Sequence, residues 1–380
     1  MHDLGHYPFS HATEHVVKNF YSRQLFQNAS EGGAKNAYEA NGATTDLSEV
    51  EGPMNHEVLG SFIIKEDEEI NKVLVRHGKN ALEIERIFER SDPENTLMEI
   101  ISSDLDCDRL DYLKRTAHHT GLPYGSVDTD YLTSQATLDG SGAFAYTAKA
   151  ARAADHLLVS RYYDYLQVPF NKTVAALEWS LTTAIEKLLS LGMLDCRPKT
   201  IRSLLERGTW ADFDDSYFIA QFRELYRDSS VDEITRSHLA AILERKPAKT
   251  VCEHQVLIPL SEVVKVKELT KRIKDILDEV ASRMGVDRAR LQVWDLQVDF
   301  AKYQISAEDT AAGAVKVLRA EGSTSTPLCL CEETLFGKLL RFSHRGFRVF
   351  YLPEDTAQEG GTENVLRELR AAIAPALAVG

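Results

Sequence analysis

His2-Asp3-Leu4-Gly5-His6-Tyr7-Pro8-Phe9-Ser10-His11-Ala12-Thr13-Glu14-His15 opens the chain and decides how the rest is read. His2 and His6 are four apart, so on a helical turn they face the same side. His11 and Glu14 are three apart, and His15 follows His11 by four. Between the two groups, Pro8-Phe9-Ser10 is expected to bend the chain. His56-Glu57 adds a further pair. Imidazole and carboxylate together are the ligand set of Zn, Mn and Fe sites, and imidazoles shuttle protons near neutral pH. The plainer alternative is a chance gathering of solvent-facing histidines at a chain end. Three histidines between positions 2 and 11, one with Asp3 beside it, argue against that.

Further along, Asp104, Asp106, Asp108 and Asp111 are followed by Arg115. On one continuous helix, 104, 108, 111 and 115 share a face. A solvated acidic face paired to Arg115 is the plainer account of that run. A metal site would need one of those carboxylates to project inward.

The surrounding pattern is helical. Segments 2–20 (after Pro8), 56–65 and 94–118 read as helices, and 204–245 as short helices. Segment 173–191 is the clearest amphipathic helix, with Val174, Leu177, Leu181, Ile185 and Leu188 at steps of three and four before Gly192. The Gly- and Asn-rich stretch 27–53 reads as a long loop insertion. No strand alternation is visible before about residue 250. Beyond it, 251–258, 291–306 and 347–352 read as strands, and 262–284 and 362–377 as helices. The expected fold is therefore mainly α: an all-α helical core over 1–250, then a smaller α+β lobe over 251–380.

Net charge is −14, which disfavours extensive nucleic-acid binding. No apolar run reaches the ~20 residues needed to span a bilayer, and the N-terminus carries no signal-peptide pattern. The five cysteines are scattered, which suits a reducing, cytoplasmic setting. Cys329 and Cys331 form a C-x-C pair without further ligands nearby, so core or strand cysteines are expected there.

The run from His2 to His11 resembles the core motif of HD-family metal-dependent phosphohydrolases. It is most similar to the branch of deoxynucleoside triphosphate triphosphohydrolases, including the animal enzyme that joins SAM and HD domains. The run from Ser103 to Thr116 resembles that branch's second motif, continuing through Thr120-Gly121, Tyr124-Gly125 and Asp128. The Arg161-Tyr-Tyr and 167–172 segments resemble a third. The resemblance spans most of residues 1–175. It implies an HD-type helical domain with a divalent metal (Mn, Mg, Fe or Zn) on His2, Asp3 and Asp108. It also implies a further ligand histidine upstream of Met1, so the chain is expected to be incomplete at its N-terminus. His118 or His119 are the internal substitutes to consider.

The same resemblance casts His11 as general acid, oriented by Glu14. It places His6 against phosphate, and His56 with Glu57 lining the same cavity. It puts Arg109 and Arg161 on the phosphate chain, Tyr112 on the sugar and Thr116 near its 3′-hydroxyl. Here the chain departs from the pattern: Thr116 stands where the family has Asp, Pro169 where it has Tyr, and Asn171 where it has His. The implied reaction converts a deoxynucleoside triphosphate to nucleoside and inorganic triphosphate. Another nucleotide substrate (a monophosphate, or a cyclic or signalling nucleotide), or a nucleotide-binding sensor without turnover, are the alternatives. The resemblance also implies homo-oligomerisation and a possible nucleotide activator.

Overall fold

The computed structural model describes residues 2–32, 55–88, 98–101, 103–300, 314–320, 323–331, 333–354 and 359–378. A 3-10 turn at His2–Gly5 comes first, followed by α1 (His11–Gly32), α2 (His56–Glu66), α3 (Glu68–Arg76), α4 (Ala81–Phe88), α5 (Met98–Ile101), α6 (Cys107–Thr120) and α7 (Thr129–Ser134). Next come β1 (Ala136–Leu138), β2 (Phe144–Thr147), α8 (Ala151–Gln167), α9 (Lys172–Ser190), α10 (Pro198–Glu206), α11 (Asp215–Arg227) and α12 (Glu233–Leu243). The remainder is β3 (Lys249–Pro259), α13 (Val263–Met284), β4 (Leu291–Asp299), β5 (Lys316–Leu318), β6 (Thr326–Pro327), α14 (Leu335–Leu339), β7 (Phe342–Tyr351) and α15 (Glu359–Leu377). The fold is mainly α with an α+β C-terminal lobe, as the sequence implied.

The chain forms two compact units, each made of two stretches: Met1–Asp92 with Leu177–Pro247, and Pro93–Ala176 with Ala248–Gly380. The sequence pattern shows a change of texture only near 250, because the other crossings fall within or beside helical segments.

In the first unit, Val16, Val17 and Tyr21 of α1 pack with Leu59, Phe62 and Ile63 of α2, Ile185 and Leu188 of α9, and Phe218 and Phe222 of α11. Burying each such side chain contributes roughly 1.5–3 kcal/mol. Asn55 caps α2 by accepting the Val58 N–H, and Asp67 caps α3 by accepting that of Ile70, so the two helices meet at one residue. The expected loop begins later than 27, since α1 runs through Gly32; residues 33–53 of that loop lie outside the described residues.

In the second unit, the sequence pattern misleads in three places. The helix expected over 94–118 is broken: α5 ends at Ile101 and α6 starts at Cys107, while 94–97 lie outside the described residues. Asp106 is the reason. Its carboxylate accepts the backbone N–H groups of both Ser103 and Arg109, ending one segment and capping the next. Asp104 therefore lies before α6 and does not share its face with Asp108 and Asp111. Strands also occur before residue 250. β1 and β2 form an antiparallel hairpin that continues into β5 and β6, in the order β1-β2-β5-β6. At three and four residues these strands are too short to show alternation, and β2's second partner, β5, comes from far along the chain. Finally, Val174 is exposed although the helical spacing placed it on the apolar face.

The lobe's sheet has the order β3-β7-β4, antiparallel throughout. Ile273 and Leu277 of α13 and Leu366, Leu369 and Ile373 of α15 bury one of its faces. β4 ends at Asp299, and residues 301–306 of the strand expected there lie outside the described residues.

Candidate active site

Four side chains converge in the first unit. The ligand-capable atoms of His6, His11, Glu14 and His56 all lie within 4.8 Å of one another. Three local features build this cluster. The first is the turn between His6 and His11. Phe9 and Ser10 both adopt left-handed backbone conformations, φ 59° and 54°. For non-glycine residues that costs on the order of 1–3 kcal/mol each, and surrounding contacts must hold it. The Phe9 N–H donates to Asp215 at 2.9 Å, and the Phe9 ring packs on Phe218 and Phe222. The Ser10 N–H donates to the Tyr7 carbonyl at 2.7 Å, and the Thr13 hydroxyl donates to that of Pro8. The sharp turn brings the His6 and His11 rings to 4.8 Å, edge to face.

The second is Gly5. A Cβ built there would lie 2.0 Å from the His56 carbonyl oxygen and 2.2 Å from the Gly60 nitrogen. Only glycine lets the 3-10 turn lie against the start of α2. The third is α2 itself, whose first residue, His56, stacks on His6 at 4.2 Å with the rings 10° apart.

Glu14 is the hub. Its carboxylate is nearly buried, and Oε2 receives His56 Nδ1 at 2.8 Å with His11 Nδ1 at 3.6 Å. Lys18 Nζ donates to Oε1 at 2.9 Å. Burial alone would raise the Glu14 pKa, but the neighbouring His11 and His56 imidazoles and the Lys18 ammonium outweigh it and hold the carboxyl far below its ordinary range. His56 is shifted up, chiefly by its hydrogen bond to Glu14. His6 is shifted down, first by burial and then by the neighbouring imidazoles of His56 and His11. His6 is held at both nitrogens: Nε2 lies 3.2 Å from Asp3, and Nδ1 3.1 Å from the Ser10 hydroxyl. His11 is largely exposed, its side chain open over 73% of its surface. One carboxylate thus organises one open imidazole and one enclosed imidazole.

The sequence linked Glu14 to His11, whereas the shorter bond goes to His56. Ser10 and Lys18 were not singled out by the sequence reading. The Lys18 signal was the Glu-to-Lys spacing of four along α1. His2 lies in the 3-10 turn beside Asp3.

The remaining candidates belong to the second unit. Asp108 is in the first turn of α6. Arg109 is buried and gives its guanidinium to Asp106 at 2.6 Å. Asp111 pairs with Arg115 on the exposed face at 2.9 Å, the surface pairing expected of that run. Tyr112, Arg109, Arg161, Tyr165 and Asp164 come together. Burial raises the Tyr112 hydroxyl, Tyr165 and Asp164 raise it further, and the two arginines oppose that rise. Arg161 lies over the Tyr165 ring and donates through Nη1 to the Phe300 carbonyl at 3.2 Å, while its buried Nε has no hydrogen-bond partner among the described residues. Thr116 sits half-buried one turn after Tyr112. Among the described residues the cysteines join no group of metal-competent donors; Cys331 is buried and Cys329 half-buried.

No protein-family model matches the chain. It is 26% identical over 199 residues to uncharacterized protein YwfO of Bacillus subtilis, covering 50% of this chain and 36% of that protein. It is 27% identical over 233 residues to uncharacterized protein MJ1154 of Methanocaldococcus jannaschii, covering 60% of this chain and 42% of that protein. The chain spans about two fifths of the length of these relatives. Among solved structures, a hypothetical protein from Aquifex aeolicus superposes with a TM-score of 0.64 at 22% identity, over 98% of this chain and 77% of that one. A phosphohydrolase from Bacteroides thetaiotaomicron superposes with a TM-score of 0.55 at 17% identity, over 89% and 87%. At these identities the likeness to the solved structures is one of fold. No helix among the described residues is long and apolar enough to cross a membrane.

Proposed function

We propose that this chain is the catalytic part of a metal-dependent phosphohydrolase acting on nucleotides, with deoxynucleoside triphosphates as the leading substrates and nucleoside plus inorganic triphosphate as products. The observation that carries this reading is the convergence of His11 and His56 on one buried oxygen of Glu14, with His6 stacked alongside. Such an arrangement fixes imidazole tautomers and raises basicity, as a proton-transfer site requires. The fold shared with a protein named a phosphohydrolase supports the reaction class. The substrate follows only from the resemblance of the His2–His11 and Ser103–Thr116 runs.

The donors fit a divalent cation. His6, His11, Glu14 and His56 offer imidazole nitrogens and a carboxylate oxygen close together, and Asp3 adjoins them through His6. Within this unit His2 and Asp3 are the ligands the resemblance assigns; Asp108 is its counterpart in the second unit. A bound divalent metal supplies charge neutralisation on phosphoryl oxygens and acidifies water. The protein's own residues do the rest. His11, exposed to substrate and backed by Glu14, donates the proton to the departing sugar oxygen. His6, tethered at both nitrogens, faces phosphate. Arg109, Arg161, Tyr112 and Thr116 are the substrate contacts the resemblance assigns to the second unit. A nucleotide activator and assembly as a homo-oligomer belong to the same proposal.

The test is incubation with the four deoxynucleoside triphosphates and Mn²⁺, with products separated by ion exchange. Inorganic triphosphate with free nucleoside, lost in His11→Ala, supports the reading. Turnover only of mono- or cyclic nucleotides moves the substrate, as Thr116 and Pro169 would favour. Nucleotide-dependent thermal stabilisation with no product from any substrate would replace the enzyme with a sensor.

A further inference from the structure

Lys18 is not among the reacting groups, yet it holds one oxygen of the central carboxylate. Lys18 lies one helical turn after Glu14 on α1, its Nζ 2.9 Å from Oε1. Both imidazoles take the other oxygen, His56 at 2.8 Å and His11 at 3.6 Å from Oε2. The two carboxylate oxygens are therefore divided, one for the lysine and one for the histidines. An ordinary surface pair four apart on a helix contributes little to stability and constrains nothing beyond itself. This pair differs because its acidic member is only 10% exposed in its side chain, while the lysine reaches in from solvent at 43%. The terminal torsion of a glutamate is broad and two-fold, so the carboxylate has no intrinsic reason to hold one orientation. With Lys18 removed, the carboxylate is free to turn towards His56, its closer imidazole, and the longer His11 contact is the one lost.

We propose that Lys18 is a positioning residue. By occupying Oε1 it fixes the orientation in which Oε2 serves His11 and His56 together, and it balances the charge of a carboxylate shared by two rings. Lys18 touches no reacting atom and acts only through Glu14. The inference deepens the phosphohydrolase reading and rests on it for its rate consequences, while its geometric half stands by itself.

Two variants of the full chain, Lys18→Met and Lys18→Arg, separate the possibilities. Losing a residue that orients a catalytic partner typically lowers activity about 10–100-fold. Lys18→Met should lower kcat by that factor with KM unchanged, and Lys18→Arg, which can still donate to Oε1, should recover most of it. Independently of turnover, ring ¹⁵N spectra of the free protein should show the His11 tautomer bias lost in Lys18→Met and kept in Lys18→Arg. Unchanged His11 and His56 ring signals in Lys18→Met overturn the inference, whether or not any nucleotide is hydrolysed. So does a loss of kcat that Lys18→Arg fails to restore. If the wild-type chain hydrolyses nothing while the ring signals respond as expected, the phosphohydrolase reading fails and the positioning role stands.

Discussion

Replacing Gly5 with alanine adds one carbon where the 3-10 turn meets α2. That carbon would lie 2.0 Å from the His56 carbonyl oxygen and 2.2 Å from the Gly60 nitrogen, and real Cβ atoms essentially never come within 3.0 Å of a neighbour. The turn and the helix must therefore separate by about 1 Å, the difference between 3.0 and 2.0 Å. Both obstructing atoms are backbone, so no side-chain rotation relieves the clash. Overpacking of this kind costs about 1–3 kcal/mol. On the proposed phosphohydrolase reading the effect on rate is larger. His6 follows Gly5 directly, and His56 supplies the obstructing carbonyl, so the same displacement opens the 4.2 Å stack between the two rings. A misplacement of about 1 Å in a reacting constellation costs on the order of 100-fold in rate. Urea denaturation followed by circular dichroism, with initial rates of the proposed nucleotide hydrolysis at a temperature where both proteins are folded, measures the two effects separately. A Gly5→Ala protein with wild-type denaturation midpoint and wild-type rate would refute the close-packing argument.

Glu14→Gln keeps the shape but removes the charge that anchors two imidazoles, so hydrolysis should fall by about 10²–10⁴-fold, read from initial rates. NMR titration of the metal-free protein should find the His56 pKa above, and the His6 pKa below, the ordinary 6.5. The signs then differ for stability. The His56 contribution is fully present below 6.5 and is lost as pH rises through its raised folded value. At His6 the folded chain binds fewer protons than the unfolded one between its lowered value and 6.5, so stability falls as pH drops through that window. Asp232 caps α12 through the Thr235 N–H at 2.8 Å and pairs with Lys187 at 3.0 Å. Asp232→Ala should cost about 1 kcal/mol in denaturant unfolding near neutral pH. Despite partial burial, bonds from Thr235 and Lys187 hold the Asp232 carboxyl down to about 2 from 3.8, so the cost of the substitution should be complete above 3.8 and vanish as pH falls through about 2.

The helical elements α9, α13 and α15 were legible because burial of one face writes itself into spacing. The break between α5 and α6 was not, because 94–118 reads as continuous helix while the Asp106 carboxylate spends its hydrogen bonds on Ser103 and Arg109. The β1-β2 hairpin escaped for another reason. Its partner β5 begins at Lys316, and a three-residue strand has no pattern of its own.

At the candidate site, the sequence by itself determined which donor groups are present. His11 and Glu14 at a helical step place an imidazole and a carboxylate on one face of α1, because that spacing is fixed by local geometry. Only the tertiary structure decided which imidazole the carboxylate holds. His56 lies 42 residues beyond Glu14 yet makes the closer bond, because Gly5 lets the first turn lie against α2. The left-handed pair at Phe9 and Ser10 is likewise a tertiary decision. Neither residue favours that conformation, and it persists because Asp215, Phe218 and Phe222, more than two hundred residues along the chain, hold it in place.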